Sequence, residues 1–374
     1  MDACGIGALP DAADYGDADT NTLAHVAEAA GGLDVPTLGS LGLATVTPLT
    51  GVPPADHPAV HGRLHPLGPG KDSTTGHWEM MGASVPPAPV YPDGFPPDVI
   101  AAFARATGRG VVCNAAVEGL QAIDEHGAHH LRTGDLIVYT SQDSVFQVAA
   151  HTRVVPESEL YEHCRAAREI LTGPRAVSRV IARPFEGEPG AFRRTAGRRD
   201  FALAPPARTY LDELREAGVD VHSVGKVSDL FGGRGFSHSH GGADNSAAIA
   251  ILDRLAADLD EGFVFANLID TDQLYGHRKD VTGFARALAA IDVALARWLA
   301  ARRTGDLIVV TADHGCDPAH PGTDHTREYA PLLATFDGAP SVRVDGPLAS
   351  VGASVLRWLA GRSSSLPGEP FLSA

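Results

Sequence analysis

Short apolar runs alternate with stretches of helical period along the chain, most clearly in its C-terminal half. The runs 218–225, 263–269, 306–311 and 331–336 each read as a buried strand, since roughly four to eight apolar residues between turn formers leave no polar face for water. Between them Phe284, Leu288, Ile291, Leu295 and Trp298 recur at helical spacing, as do Ile249, Leu252 and Leu255, so helices cross between successive strands. This alternation predicts an α/β fold whose core is a doubly wound, mostly parallel sheet. In such sheets ligands gather beyond the carboxyl ends of the strands.

The middle of the chain reads differently. A proline-dense stretch at 86–97 is followed by a new series of elements, including strands at 135–140 and 179–185, and Pro205-Pro206 precedes a helix carrying Tyr210, Leu211 and Leu214. We therefore expect an inserted α+β cap domain at 89–205, with the core formed by 1–88 and 206–374. Residues 151–199 hold ten Arg against six Glu, a local charge of +4. A basic lobe of this kind either grips phosphate or forms a solvated surface.

Composition narrows the classes. With 46 acidic and 30 basic residues in 374, the formal charge is −16, which argues against nucleic acid or an anionic membrane as the principal partner. At 44% hydrophobic and 20% charged, the chain has material for a packed core rather than a disordered state. Cys4, Cys113, Cys164 and Cys316 form no C-x-x-C pair, so we expect a reducing compartment, the cytoplasm, with neither a disulfide framework nor a thiolate zinc site. The first twenty residues have no basic segment followed by an apolar run, and no stretch approaches the roughly 18 apolar residues of a membrane helix.

The chemistry is concentrated where strands end. Leu307-Ile308-Val309-Val310 runs into Thr311-Ala312-Asp313-His314-Gly315, with His325 eleven residues past His314. The run 263–269 leads into Asp270, Asp272 and His277. Mixed carboxylate and imidazole donors suit Mn²⁺, Mg²⁺ or Zn²⁺, and a strand end leaves them little entropy to lose. Asp270 reads equally as a helix cap. The five-residue step from Asp272 to His277 covers about 500° of an ideal α-helix, so these two are expected to converge through a turn. Asp2 stands near the start, and Gly70-Lys71-Asp72-Ser73-Thr74-Thr75-Gly76-His77-Trp78-Glu79 offers three adjacent hydroxyls. That run reads either as a helix N-terminus with Glu79 nearby or as the source of a nucleophile activated by a metal.

Taken together, the segments 1–17, 70–82, 134–150, 179–190, 267–280 and 311–329 resemble phosphopentomutase, a family of the alkaline phosphatase superfamily that interconverts ribose 1-phosphate and ribose 5-phosphate. The resemblance implies an alkaline phosphatase-like core with an inserted cap, a phosphothreonine enzyme, two divalent cations, most often Mn²⁺, and a sugar bisphosphate activator. It assigns one metal to Asp272, His277 and His325 and the other to Asp2, Asp313 and His314, with Thr75 as the phosphorylated residue. In the cap it implies Ser141, Asp143, Val145, Arg179 and Ile181 as contacts to a small pentose phosphate, and Lys226 as a further one. Three departures stand out. The sequence begins one residue before Asp2, where the family carries an apolar strand, so the start is truncated or the sheet lacks a strand and Asp2 sits on a frayed terminus. Ser73-Thr74 replaces the family's Thr-Met. The stretch Ser237-His238-Ser239-His240-Gly241-Gly242 reads as a solvated loop, whose two His could also take up metal. Competing readings are a metal-dependent phosphatase or phosphodiesterase, a phosphoglycerate mutase relative, and a non-catalytic metal-binding paralogue.

Overall fold

The computed structural model describes residues 1–86, 88–141 and 144–372. The chain divides into two compact units, Met1–Pro86 with Pro205–Ala374, and Pro87–Ala204. The larger unit holds strand β1 (Val60–His65). The inserted unit follows with β2 (Val111–Ala116), β3 (Leu136–Thr140), β4 (Val145–His151), β5 (Arg179–Glu186), β6 (Arg193–Arg194) and β7 (Arg199–Ala202). The larger unit resumes with β8 (Val221–Val224), β9 (His238–His240), β10 (Phe263–Ala266), β11 (Ile308–Val310), β12 (Ala330–Thr335) and β13 (Gly346–Pro347).

In the larger unit the order β10-β8-β9 makes one sheet, parallel throughout, and β11-β12-β1-β13 makes another. In the second sheet β12 runs antiparallel to both of its neighbours, while β1 and β13 are parallel. Residues 237–242 thus do not form the solvated loop expected from their polarity: His238–His240 pairs in register with β8. The long helix Val281–Ala301 buries Phe284, Leu288, Ile291 and Leu295, the stripe that its spacing predicts. Between β10 and β11 lies an apolar cavity of about 490 Å³, lined by Leu252, Leu255, Phe265, Val309, Trp298 and Trp358 among others.

The start of the chain is held at the end of this cavity. The Met1 ammonium donates to Thr311 O at 2.9 Å, Asp2 N to Leu268 O at 3.1 Å, and Ala3 N to an Asp313 carboxylate oxygen at 3.2 Å. Asp2 is fully buried. It is therefore not on a frayed terminus, because three hydrogen bonds tie the first three residues to the ends of two different strands.

The inserted unit is one sheet in the order β2-β3-β4-β5-β6, with β7 also on β5. Its central strands β3, β4 and β5 divide their apolar residues between the two faces. Leu136, Val138, Phe146, Val148, Val180 and Ala182 pack in one cluster with Phe103, while Ile137, Tyr139, Ala149 and Phe185 join Ala122 and Ile123 on the other face, as a period of two requires. Most of its arginines have acidic partners within the unit: Arg153 with Glu188, Arg165 with Glu162, Arg193 with Glu186, Arg194 with Glu118, and Arg198 with Asp200. The local excess of positive charge is thus largely neutralised in place.

Candidate metal centre

Two strand ends, a following loop and the chain start converge in the larger unit. Beyond β10 the backbone makes a turn of π-helix, Thr271–Gly276. There the His277 amide donates to Asp272 O, five residues back, at 3.3 Å. Five residues are about one turn of a π-helix, so Asp272 and His277 share a face that an α-helix would have denied them. Beyond β11 come Asp313 and His314, and His325 enters from the following loop. The result is two groups of donor atoms, Asp272 with His277 and His325, and Asp2 with Asp313 and His314, each within 4.8 Å of one another.

Hydrogen bonds behind these groups orient them. His314 Nδ1 donates to Gly315 O at 3.0 Å and His277 Nδ1 to Thr323 O at 2.6 Å, which leaves each Nε2 with its lone pair toward the carboxylates. His314 Nε2 lies 3.4 Å from Asp2 and 3.3 Å from Asp313, while His277 and His325 Nε2 lie 3.4 and 3.3 Å from Asp272. One Asp2 oxygen accepts from Asn267 Nδ2 at 3.0 Å and from Lys226 Nζ at 2.8 Å. The other oxygen, together with Asp272 Oδ1, Asp313 Oδ2 and His325 Nε2, is buried without a hydrogen-bond partner. His77 Nδ1 donates to Ser73 O at 2.8 Å and sits 3.2 Å from Asp313.

Electrostatics point the same way. Burial pushes the Asp2 carboxyl above its usual range, with Asp313 adding to it and Lys226 opposing. Burial also acts upward on Asp272, but the His325 and His314 imidazoles outweigh it and bring that carboxyl to about 2. Three buried carboxylates with one ammonium leave an excess of negative charge, and buried orphan acceptors are costly unless something binds them. The donor set, oxygen and imidazole with no thiolate, fits hard to borderline divalent cations.

The hydroxyls are sorted by where the helix Ser73–Met80 begins. Asp72 is its N-cap, accepting from the amides of Thr74 and Thr75, and the Thr75 hydroxyl closes the capping box with Asp72. Thr75 also packs against Gly70 so closely that any Cβ there would overlap it. Thr75, the expected nucleophile, is thus occupied in the cap. Ser73, at the first helical position, donates to His314 Nε2 at 3.1 Å and accepts from Lys226 Nζ at 3.3 Å. An Asp three residues before Thr75 is a capping spacing that turns Thr75 back on the cap, and it leaves Ser73 facing His314 and Lys226. Gly76, lacking a side chain, lets the helix approach the Asp313 carbonyl.

The cap residues fall in the inserted unit. Ser141 follows β3, and Val145 and Arg179 stand opposite each other at the starts of β4 and β5, with Ile181 opposite Gln147. Val145 and Ile181 are buried, so their side chains belong to the core, while Arg179 is partly exposed and lies 3.5 Å from Asp200. Asp143 lies outside the described residues.

Residues 1–361 match the Metalloenzyme superfamily profile. The chain is 48% identical over 382 residues to a phosphopentomutase of Herpetosiphon aurantiacus, covering 100% of this chain and 97% of that one. It is 51% identical over 381 residues to one from Anaeromyxobacter dehalogenans, covering 100% and 96%. Among solved structures, a phosphoglycerate mutase of Leishmania mexicana is similar at 15% identity and a TM-score of 0.47, covering 99% of this chain and 96% of that one. No helix among the described residues is long and apolar enough to cross a membrane.

Proposed function

The chain belongs to the metalloenzyme superfamily and, within it, to the phosphopentomutases, and we propose that it transfers phosphate through the hydroxyl of Ser73. It is an isomerase that interconverts the 1- and 5-phosphates of a pentose. The observation carrying the Ser73 assignment is the reach of its Oγ, 3.1 Å from His314 Nε2 and 3.3 Å from Lys226 Nζ, while Thr75 is spent on Asp72.

Phosphate on Ser73 Oγ passes to the free hydroxyl of the bound pentose phosphate, whose proton leaves as the new P–O bond forms and the Oγ–P bond breaks. The resulting pentose bisphosphate then returns its other phosphate to Oγ, so enzyme and phosphate count are both restored. A sugar bisphosphate is accordingly the activator that primes Ser73. Lys226 offsets the charge at Asp2 and Oγ, and its ammonium is kept charged because Asp2, Asp272 and Asp313 outweigh the effect of burial. His77 braces the Asp313 carboxylate from behind. Ser73 and His314 are buried, which limits the access of water to a phosphoenzyme. Asp272, His277 and His325 on one side, and Asp2, Asp313 and His314 on the other, would hold two divalent cations, Mn²⁺ being the ion proposed, supplying Lewis-acid stabilisation of phosphoryl oxygens. Ser141, Asp143, Val145, Arg179 and Ile181 are the substrate contacts proposed for the inserted unit. The four unpaired cysteines support a cytoplasmic setting.

The test is peptide mapping after treatment with ribose 1,5-bisphosphate. Phosphate should appear on Ser73, vanish in Ser73→Ala, and persist in Thr75→Ala. Phosphate on Thr75 in the unaltered chain would overturn the assignment.

A further inference from the structure

Strands β8 and β9 carry three histidines that the phosphoryl chemistry does not use. Their parallel register sets His222 beside His238 and Val224 beside His240. His238 and His240 are two residues apart on one strand, so all three imidazoles fall on one face of the sheet. The His222 ring lies 4.4 Å from that of His238 and 5.3 Å from that of His240, the latter pair stacked within 5°. His222 Nδ1 and His240 Nε2 are 3.1 Å apart. Two ring nitrogens at that distance share either a proton or a cation.

We propose that His222, His238 and His240 form a binding site for one borderline divalent transition-metal ion, of the zinc, copper or nickel class, distinct from the Asp–His centre. An all-imidazole set selects those ions over Mn²⁺ or Mg²⁺, which favour oxygen. Two nitrogens each about 2.0–2.1 Å from a tetrahedral ion stand roughly 3.3 Å apart, within a few tenths of an ångström of the separation here. His222 is buried on the inner strand and supplies the fixed ligand, while His238 is exposed and can rotate about its own side-chain bonds toward the same ion. The site is ready at neutral pH. Burial, with the neighbouring rings adding to it, holds His222 below the ordinary imidazole value; burial and the charge of Arg254 do the same for His240. Of the charged groups that act on the cluster, Asp220 favours a cation and Arg254 opposes one. The Gly225 amide donates to Gly241 O at 3.0 Å, so an ion that ties β9 to β8 would also brace the turn that presents Lys226.

The experiment uses Mn²⁺-loaded protein dialysed against Zn²⁺, with bound zinc counted by elemental analysis. The unaltered chain should retain one more zinc than a His238→Gln/His240→Gln variant, whose affinity at this site should fall by at least about 100-fold. Arg254→Gln should tighten the same site several-fold. Copper substituted at this site should give an electron paramagnetic resonance signal coupled to at least two imidazole nitrogens, and the double variant should lack it. The double variant's isomerisation in Mn²⁺ alone should match the unaltered chain, which reports that it folds. Equal zinc counts in the two proteins, or a copper signal whose nitrogen coupling survives the substitutions, would overturn the site.

Discussion

In the inserted unit the central strands β3, β4 and β5 present residues to two apolar clusters, one on each face, and most of the unit's arginines are paired with neighbouring acids. In the larger unit two sheets stop short of each other across a cavity of about 490 Å³, and four polar atoms of the Asp–His centre are buried without hydrogen-bond partners. Among the described residues the first leaves only scattered buried atoms without partners, Tyr139 Oη, His163 Nε2 and Arg168 Nε, and no carboxylate among them. The second concentrates unmet charge where strand ends meet, which is the condition for binding cations and the usual cost of a functional site. Stability and activity should therefore separate when each unit is perturbed.

The largest effect is expected at the centre. Asp313→Ala removes a buried carboxylate whose second oxygen has no hydrogen-bond partner, and isomerisation should fall by at least about 10³-fold, several kcal/mol of transition-state stabilisation. Bound metal should drop with it, while hydrogen exchange across residues 88–204 stays as it was. Full activity together with full metal content would break the contrast between the two units.

A comparable change in the insert should do the opposite. Phe103 is buried and meets the Phe146 ring edge-on at 5.1 Å. Phe103→Ala should cost the insert about 3–5 kcal/mol of stability. Hydrogen exchange should quicken through residues 97–186, with metal content of the larger unit unchanged. Loss of metal in this variant would show that the insert's packing supports the centre.

These two sites also differ in how legible they are in the sequence. Four of the six metal-ligand candidates, Asp272, His277, Asp313 and His314, follow apolar strands within a few residues, and a polar group at a strand end has few structural uses. The buried strands and the helix Val281–Ala301 follow from periodicity alone. What escaped were features decided by a single residue of phase. Whether Ser73 or Thr75 faces the centre depends on Asp72 being the cap; Asp272 and His277 meet because the backbone takes a π turn. Likewise His238 and His240 form a strand only because β8 offers them an edge. Each is a tertiary choice between local conformations of similar propensity.

Arg179 tests whether the insert contributes more than stability. Its guanidinium is partly exposed and lies 3.5 Å from Asp200, so a substrate phosphate would compete with, or join, that pair. Arg179→Ala should reduce isomerisation by about 10- to 150-fold, the roughly 1.5–3 kcal/mol of a charge-assisted contact, and raise the fraction of phosphate lost to water. Metal content should not move. Unchanged isomerisation and hydrolysis would confine the insert's arginines to their ion pairs.

The smallest effect concerns acid, and it again falls on the insert. His130 is buried, the His151 amide donates to its Nε2 at 2.8 Å, and its Nδ1 donates to Asp135 O at 2.7 Å. Both nitrogens are committed, one as acceptor and one as donor, which fixes the neutral tautomer. Burial accordingly holds His130 below the ordinary value of 6.5, and His163 in the same unit is lowered by burial too. Above 6.5 these rings are neutral whether the chain is folded or not, and pH has no leverage through them. Below it the unfolded chain takes up protons that the folded insert refuses, so stability falls as pH drops from 6.5 through the lowered native values, by at most about 1.4 kcal/mol per pH unit for each ring. Asp135 and Glu159 are lowered carboxyls, Asp135 by its His129 contact and Glu159 by its Arg109 contact, and they act in the same direction only at more acidic pH. Urea midpoints for residues 88–204, followed by hydrogen exchange between pH 7.5 and 5.5, should decline over that window. A flat profile would mean that His130 accepts its second proton in the folded state, by giving up the His151 amide.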